Sequence, residues 1–378
     1  MSTTQADVIV VGGGIMGAAT AFFLRRRGVK VVLLERGLVG QQASGVNFGN
    51  VRRQGRFLPQ LPLANRSREI WGRMNALLGE DAEFIATGHV RVAFRPDDVA
   101  RLEAHAEAVR EYGLELELIH GNALRARFPF LAPEVKAGSF SPLDGHANPR
   151  LAAPAFGRAA AREGALVVEN AEVIGVEKPG DDFLVETAGA GSFRAPAVQI
   201  SAGAWAGALS SRFGEAVPMI AKGPQMGVTE PMPYRIDPVI GVSSSVEEEG
   251  IYLRQVKRGN IVYGGGWRGP ALPDIQRAYI DPINTLRQAP MLRRVVPGLA
   301  ALRTIRTWSG IEGYLPDDLP VMGPSAKVSG LFYAFGFCGH GFQLGPGVGD
   351  VMAELIATGT TSTPLAPFHI GRFAAPRG

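Results

Sequence analysis

Asp7-Val-Ile-Val-Val-Gly-Gly-Gly-Ile-Met-Gly17, with Glu35 closing a second apolar run at Val31–Leu34, decides the fold. Val8 to Val11 reads as a buried β-branched strand. Gly12, Gly14 and Gly17 then follow with the G-x-G-x-x-G spacing, and Ile15 to Arg27 mixes small and apolar residues as a helix packed on a sheet does. Strand, glycine turn, helix, strand and acid in register make a dinucleotide-binding βαβ unit. Gly12 permits the tight turn, Gly14 lets a pyrophosphate approach the backbone, and Gly17 lets helix and strand pack closely. The phosphates would lie on the helix N-terminus, at Gly13, Gly14, Ile15 and Met16, where free N–H groups and the positive dipole end face them. Glu35, with Arg36 beside it, follows Gly14 by 21 residues. A carboxylate there accepts hydrogen bonds from a ribose diol and repels a 2′-phosphate, which disfavours NADP and leaves NAD or FAD.

The remaining composition narrows the class. At 378 residues, 46% hydrophobic and 20% charged, the chain can bury two cores. The net charge of +4 comes from basic residues scattered among acids, so nucleic-acid binding is not indicated. A single cysteine, Cys338, excludes an internal disulfide and a cysteine-based metal cluster, and no H-E-x-x-H or G-x-S-x-G element points to a metal site or a hydrolase. The polar N-terminus lacks the basic region of a signal peptide, and no uninterrupted apolar run is long enough to span a bilayer. A cytoplasmic, soluble protein is expected.

Past residue 80 the pattern changes. Glu83 to Phe94 reads as a strand pair around Gly88, Asp97 to Tyr112 as an amphipathic helix, and Leu114 to Ile119 as an alternating strand. A helix is predicted from Pro149 to Glu163, then short strands at Leu166–Val168, Glu172–Glu177 and Phe183–Thr187. Ala197-Val-Gln-Ile-Ser-Ala-Gly203 returns to the nucleotide, placing Val173, Ala202, Gly203 and Trp205 against it. Gln225–Thr229, Val239–Val242, Ile251–Val256 and Ile261–Tyr263 suggest a second excursion into a sheet. The chain closes with strand Leu331–Phe335, a glycine-rich turn and a helix from Gln343 to Thr358. The expected architecture is α/β: a Rossmann-like domain (1–80, 145–216 and 302–378) interwoven with an α+β substrate domain (81–144 and 217–301) containing a mainly antiparallel sheet.

Four segments together resemble the amine-oxidising flavoenzymes of the D-amino-acid oxidase superfamily, the group of glycine oxidase, sarcosine oxidase and D-amino acid and D-hydroxyproline dehydrogenases. They are Val8–Arg36; Ala43-Ser-Gly-Val-Asn-Phe-Gly-Asn50; Trp308-Ser-Gly-Ile-Glu-Gly-Tyr-Leu-Pro-Asp-Asp-Leu-Pro-Val-Met-Gly-Pro324; and Gly336-Phe-Cys-Gly-His-Gly-Phe-Gln-Leu-Gly-Pro346. Within the group, Asn47 to Arg53 looks most like the D-hydroxyproline and secondary-amine dehydrogenase branch. The resemblance implies FAD, with Ala43, Ser44, Asn47, Gly49 and Asn50 on a loop along it. Physical reasoning also favours FAD over NAD, because a second glycine-rich turn opens a helix. Gly339, His340, Gly341, Phe342 and Gln343 would offer N–H groups and a dipole to the N1–C2=O edge of an isoalloxazine. In covalently flavinylated relatives the attachment cysteine falls where this chain has Gly310, so the FAD is expected to be non-covalent, with Cys338 structural.

The resemblance implies oxidation of a small amino acid or secondary amine of the D-proline, D-hydroxyproline or N-substituted glycine type to the imine, by hydride transfer from Cα to flavin N5. Arginine suits the substrate carboxylate because its planar fork pairs both oxygens. Arg52 is the first candidate, from its matching position in the sarcosine oxidase branch, with Arg53 and Arg254 as others. Two departures bear on the substrate. Glu312 stands in the neighbourhood where glycine oxidases place a carboxylate-binding arginine, and Gln343 where sarcosine oxidases have lysine. Glu312 either attracts a cationic or hydroxylated ring amine or caps the neighbouring turn. Tyr252, Tyr263 and Trp267 would wall the substrate or pack the core, and His340 would touch the flavin edge or the substrate. Three alternatives stand beside this reading: a primary D-amino acid or glycine oxidase, an FAD-binding electron-transfer subunit with partner subunits, and an NAD-dependent dehydrogenase. The electron acceptor, whether oxygen, quinone or protein, is not encoded in these motifs.

Overall fold

The computed structural model describes residues 3–374. Along the chain lie β1 (Val8–Val11), α1 (Ile15–Arg25), β2 (Val31–Leu34), α2 (Leu61–Leu78), β3 (His89–Ala93), α3 (Pro96–Ala108), β4 (Glu117–His120), β5 (Ala137–Ser141) and α4 (Pro149–Arg162). They are followed by β6 (Leu166–Val168), β7 (Ala197–Ile200), β8 (Gln225–Pro231), β9 (Val239–Val242), β10 (Ile251–Gln255) and β11 (Asn260–Gly265). The last elements are α5 (Pro282–Val295), β12 (Thr304–Ser309), β13 (Val321–Pro324), β14 (Leu331–Phe335) and α6 (Gly341–Thr358).

Two sheets organise the fold. The first has the order β13-β14-β7-β1-β2-β6, parallel except for the β13–β14 edge. Every residue of β1 and β2 is buried, as expected of strands covered on both faces. One face carries α1, α4 and α6, and the other a small antiparallel meander built from residues 172–195. Helix α1 is apolar all round and buried from Ile15 to Leu24 because it lies between the sheet and its two helical neighbours. A Cβ on Gly345 would stand 2.7 Å from the Ile15 side chain, and one on Gly349 would collide with Ala19, so these glycines set how closely α6 approaches α1.

The second sheet has the order β12-β8-β11-β10-β9-β3-β5-β4 and is antiparallel but for the β9–β3 pair. It forms a separate core around Val90, Ile240, Leu253 and Ile261. The architecture is thus the α/β arrangement expected, with three differences of detail. Of the anticipated strand pair in 83–94 only β3 forms; Glu83 adopts φ 54° and breaks the extended run, leaving Ile85 a single bridge to His146. The strand expected at Leu114 begins at Glu117. Finally, β12 lies beyond the expected boundary at 301/302, yet pairs with β8 in the second sheet.

Candidate active site

The turn after β1 is built as its glycines require. Gly12 has φ +103°, and a Cβ there would lie 2.6 Å from Ser201 O at the end of β7; one on Gly17 would collide with Gly12 O. Gly13 N–H donates to Glu35 Oε2 at 2.6 Å and Gly37 N–H to Oε1 at 2.8 Å, so the carboxylate is fixed by two amides while each oxygen keeps a lone pair for a ribose hydroxyl. Ile15 N–H donates to Ser44 Oγ at 2.9 Å, which ties the second motif to the start of α1. Asn47 holds its own loop, donating to Ser44 O at 2.8 Å and accepting from Gly49 N–H at 2.7 Å.

A cavity of about 500 Å³ follows these residues. At one end lie Glu35, Arg36, Val173 and Trp205, with the Arg36 guanidinium 4.1 Å from the Trp205 ring centroid. Its middle is lined by Gly12, Gly14, Ile15 and Met16 on one side and by Ala43, Ser44, Asn47 and Asn50 on the other, with Ala202 and Gly203 beside them. Its far end is the turn from Gly339 to Gln343. Four expected cofactor residues stand behind the wall. Gly13 and Gly17 shape the turn, Gly49 packs on Ala147 O, and Gly310 packs on Val46.

The lining fits FAD. Helix α6 opens at His340 with no side-chain cap, so its first-turn amides have no intrahelical partner and face the cavity at Gly341, Phe342 and Gln343. Glu35 stands at the opposite end, and the N-terminus of α1 lies between. Cys338 also borders the cavity, but its Sγ donates to Gly336 O and accepts from Leu315 N–H; burial pushes the thiol up to about 11, so it stays protonated at neutral pH.

A second cavity, about 290 Å³, adjoins the first under the antiparallel sheet. The two share Asn50, Arg52, Pro224, Tyr252 and Arg268. Arg52 Nη1 donates to Gln54 O, which fixes its reach toward the junction. Tyr252 packs edge-on against Phe48, at 4.6 Å between centroids; burial, reinforced by Glu312 and opposed by Arg268 and Arg52, pushes its hydroxyl up to about 12. Glu312 accepts from the Tyr314 hydroxyl, which in turn accepts from Arg268 Nε. It therefore faces the cavity in a side-chain network rather than capping a turn. Burial drives the His340 imidazole well below its ordinary pKa, and Arg52 and Arg56 add to the effect, so it is neutral at pH 7.

Several expected substrate contacts are placed elsewhere. Arg254 lines neither cavity: its Nε donates to Phe48 O at 2.8 Å and its Nη1 meets His146 Nδ1 at 3.1 Å, so it clamps the loop after Asn47 to β10. Arg53 is turned to Asp144 and Asn65. Gln343 borders the cavity, but its Nε2 donates to Ala64 O, and its carbonyl accepts from Ser67 Oγ and Trp71 Nε1, binding α6 to α2. Tyr263 is core, its hydroxyl 2.6 Å from Thr304 Oγ1. Trp267 lines the second cavity, stacked under Arg287. Arg56, Arg91 and Arg268 were not foreseen. Arg56 lies four residues on from Arg52, across a turn, and donates to Arg52 O at 2.9 Å and to His340 O at 3.1 Å. Arg91 and Arg268 have no local motif and become site residues only through sheet pairing.

Comparison with known proteins accords with this geometry. The profile of the FAD dependent oxidoreductase family matches residues 7–355, and the chain belongs to that family. It is an FAD-dependent oxidoreductase of amino acids or secondary amines, of the glycine and sarcosine oxidase type. A glycine oxidase from Geobacillus kaustophilus is 32% identical over 98% of this chain and 99% of its own. A monomeric sarcosine oxidase from a Bacillus species is 28% identical over 98% and 97%. Among solved structures, L-proline dehydrogenase from P. horikoshii superposes with a TM-score of 0.91 at 27% identity, covering 98% of each chain. Among the described residues, no helix is long and apolar enough to cross a membrane.

Proposed function

We propose that the chain oxidises a secondary α-amino acid, cyclic or N-substituted, to the corresponding imine. The carrying observation is the junction of the two cavities, where the α6 N-terminus, Arg52 and Tyr252 meet. FAD, held in the long cleft by Glu35, the N-terminus of α1 and the first turn of α6, would supply the two-electron acceptor for oxidation at the substrate α-carbon. The chain's own groups bind and orient. Arg52 forks onto the carboxylate. Tyr252 and Trp267 give the amine an apolar wall with a hydroxyl and an N–H. Glu312 faces the nitrogen, which arrives as a cation and must lose a proton before the α-carbon gives up hydride, and neutral His340 leaves the junction without a further positive charge. Glycine, sarcosine and L-proline appear in the names of the relatives above, and two of these three are secondary amines.

The test is anaerobic addition of sarcosine, both enantiomers of proline, cis-4-hydroxy-D-proline, glycine and D-alanine to the yellow protein, followed by its visible absorbance. Bleaching by the secondary amines at rates above those of glycine and D-alanine is expected. Bleaching by the primary amino acids alone would move the chain to the primary-amine reading. Acid precipitation should release the colour, since Gly310 offers no attachment sulfur.

A further inference from the structure

The second cavity holds a positive charge that the mechanism above leaves unused. Arg91, on β3, points into it, and the groups acting on its guanidinium are burial first and then the like charges of Arg52 and Arg101. No hydrogen bond or salt bridge joins Arg91 to a carboxylate among the described residues, whereas Arg95, four residues on, is paired with Asp98 and Glu249. Arg91 and Arg52 crowd the same space over Gly55: a methyl group there would collide with Arg91 Nη1 and stand 3.3 Å from Arg52 Nη1. The two histidines nearest this pair, His89 and His105, are held neutral by burial and by the same two arginines. The one carboxylate in the cavity lining, Glu247, is exposed and lies 3.3 Å from Arg268.

Two half-buried guanidinium groups side by side in a cavity wall, neither with a carboxylate partner among the described residues, are costly unless an anion sits between or beside them. Arg52 reaches the junction with the flavin cleft, whereas Arg91 borders only the second cavity. Resting on the amine-oxidase reading above, we propose that the substrate carries two carboxylates: the α-carboxylate at Arg52 beside the reacting carbon, and a second one, on the nitrogen substituent or side chain, held by Arg91 deeper under the sheet.

The test uses the FAD-loaded protein and two readouts. First, non-reacting acids are titrated while the flavin absorbance is followed, comparing succinate and glutarate with acetate and propionate. Second, anaerobic reduction by iminodiacetate and N-(1-carboxyethyl)glycine is compared with reduction by sarcosine and proline. The wild-type protein is expected to bind the dicarboxylates at least about tenfold more tightly, the factor of one charge-assisted contact. In Arg91→Met and in the milder Arg91→Gln, the ratio of dicarboxylate to monocarboxylate affinity is expected to fall toward one. Equal binding of mono- and dicarboxylates by the wild-type protein overturns the proposal without any variant, as does a preference that survives in Arg91→Gln. If sarcosine and proline reduce the flavin as well as the dicarboxylate amines do, this proposal fails while the secondary-amine reading stands. If no amine reduces it, the secondary-amine reading falls, and this one with it.

Discussion

Tyr314 donates its hydroxyl hydrogen to Glu312 Oε2 across 2.7 Å, at the edge of the cavity where the substrate nitrogen would lie. Burial raises the Glu312 carboxyl above the ordinary carboxylate range, while Tyr314 and Arg268 oppose the shift. A group with a raised folded pKa stabilises below its unfolded value, and that stabilisation is lost as pH rises through the folded value. Glu312→Gln keeps an acceptor for Tyr314 and carries no charge. It should therefore gain thermal stability over the wild type as pH rises, by about 1 kcal/mol or roughly 1 °C near pH 8 and less near pH 5. The same variant should raise KM for a cationic amine about fivefold to tenfold. A Tm difference independent of pH would remove Glu312 from this role.

Arg52 and Arg254 separate by what they touch. Arg52→Lys should slow flavin reduction by about tenfold or more, because a point-charge ammonium cannot reproduce the fork that orients Cα–H. Arg254→Lys should leave the rate nearly unchanged and lower stability by about 1–2 kcal/mol, since it loses the bond to Phe48 O. Stopped-flow reduction and thermal melts distinguish the two. A rate penalty confined to Arg254→Lys would relocate the anchor.

Glu35→Ala removes the acceptor of Gly13 and Gly37 N–H as well as the ribose contact. FAD retention should weaken by about 10- to 100-fold, the equivalent of roughly 1.5–3 kcal/mol. Equilibrium dialysis of the released cofactor measures this, and unchanged affinity would place the ribose elsewhere.

Acid sensitivity follows from the histidines. Burial and neighbouring arginines depress His105 to about 4 and His146 to about 3. Depressed folded values mean the unfolded chain binds more protons below its own value near 6.5, so stability is full above that pH and falls as pH drops from 6.5 toward 4. Urea midpoints from pH 8 to 4.5 should trace that decline, and His146→Asn should flatten part of it. A midpoint constant over this range would contradict the assignment.

The nucleotide end of the site was legible because its determinants are local: Gly12, Gly14, Gly17 and Glu35 act within one βαβ unit whose spacing encodes the turn. The Gly339–Gln343 turn was legible for the same reason. The substrate end was not. Arg91 on β3 and Arg268 in the loop after β11 come together only when β3 pairs with β9, β9 with β10 and β10 with β11. Arg254 shows the converse: it shares a face of β10 with Tyr252, but two residues further along the strand it is taken up by Phe48 O and His146 instead of reaching the cavity. Helices α2 and α5 each begin at a proline-bearing first turn, and their partly exposed faces weakened the periodicity that would have announced them.

The glycines that let α6 settle against α1 also have a consequence for biosynthesis. The phosphate cradle leaves the ribosome more than 300 residues before the amides that face the flavin ring, at Gly14 and Gly341 respectively, and the two come together only when Gly345 and Gly349 pass close to Ile15 and Ala19. A nascent chain that has reached only the antiparallel sheet has half a nucleotide site and no floor for the ring. Cofactor loading is therefore an event that follows synthesis of α6 and seals it to α1, and holding FAD reports that the parallel-sheet core has closed.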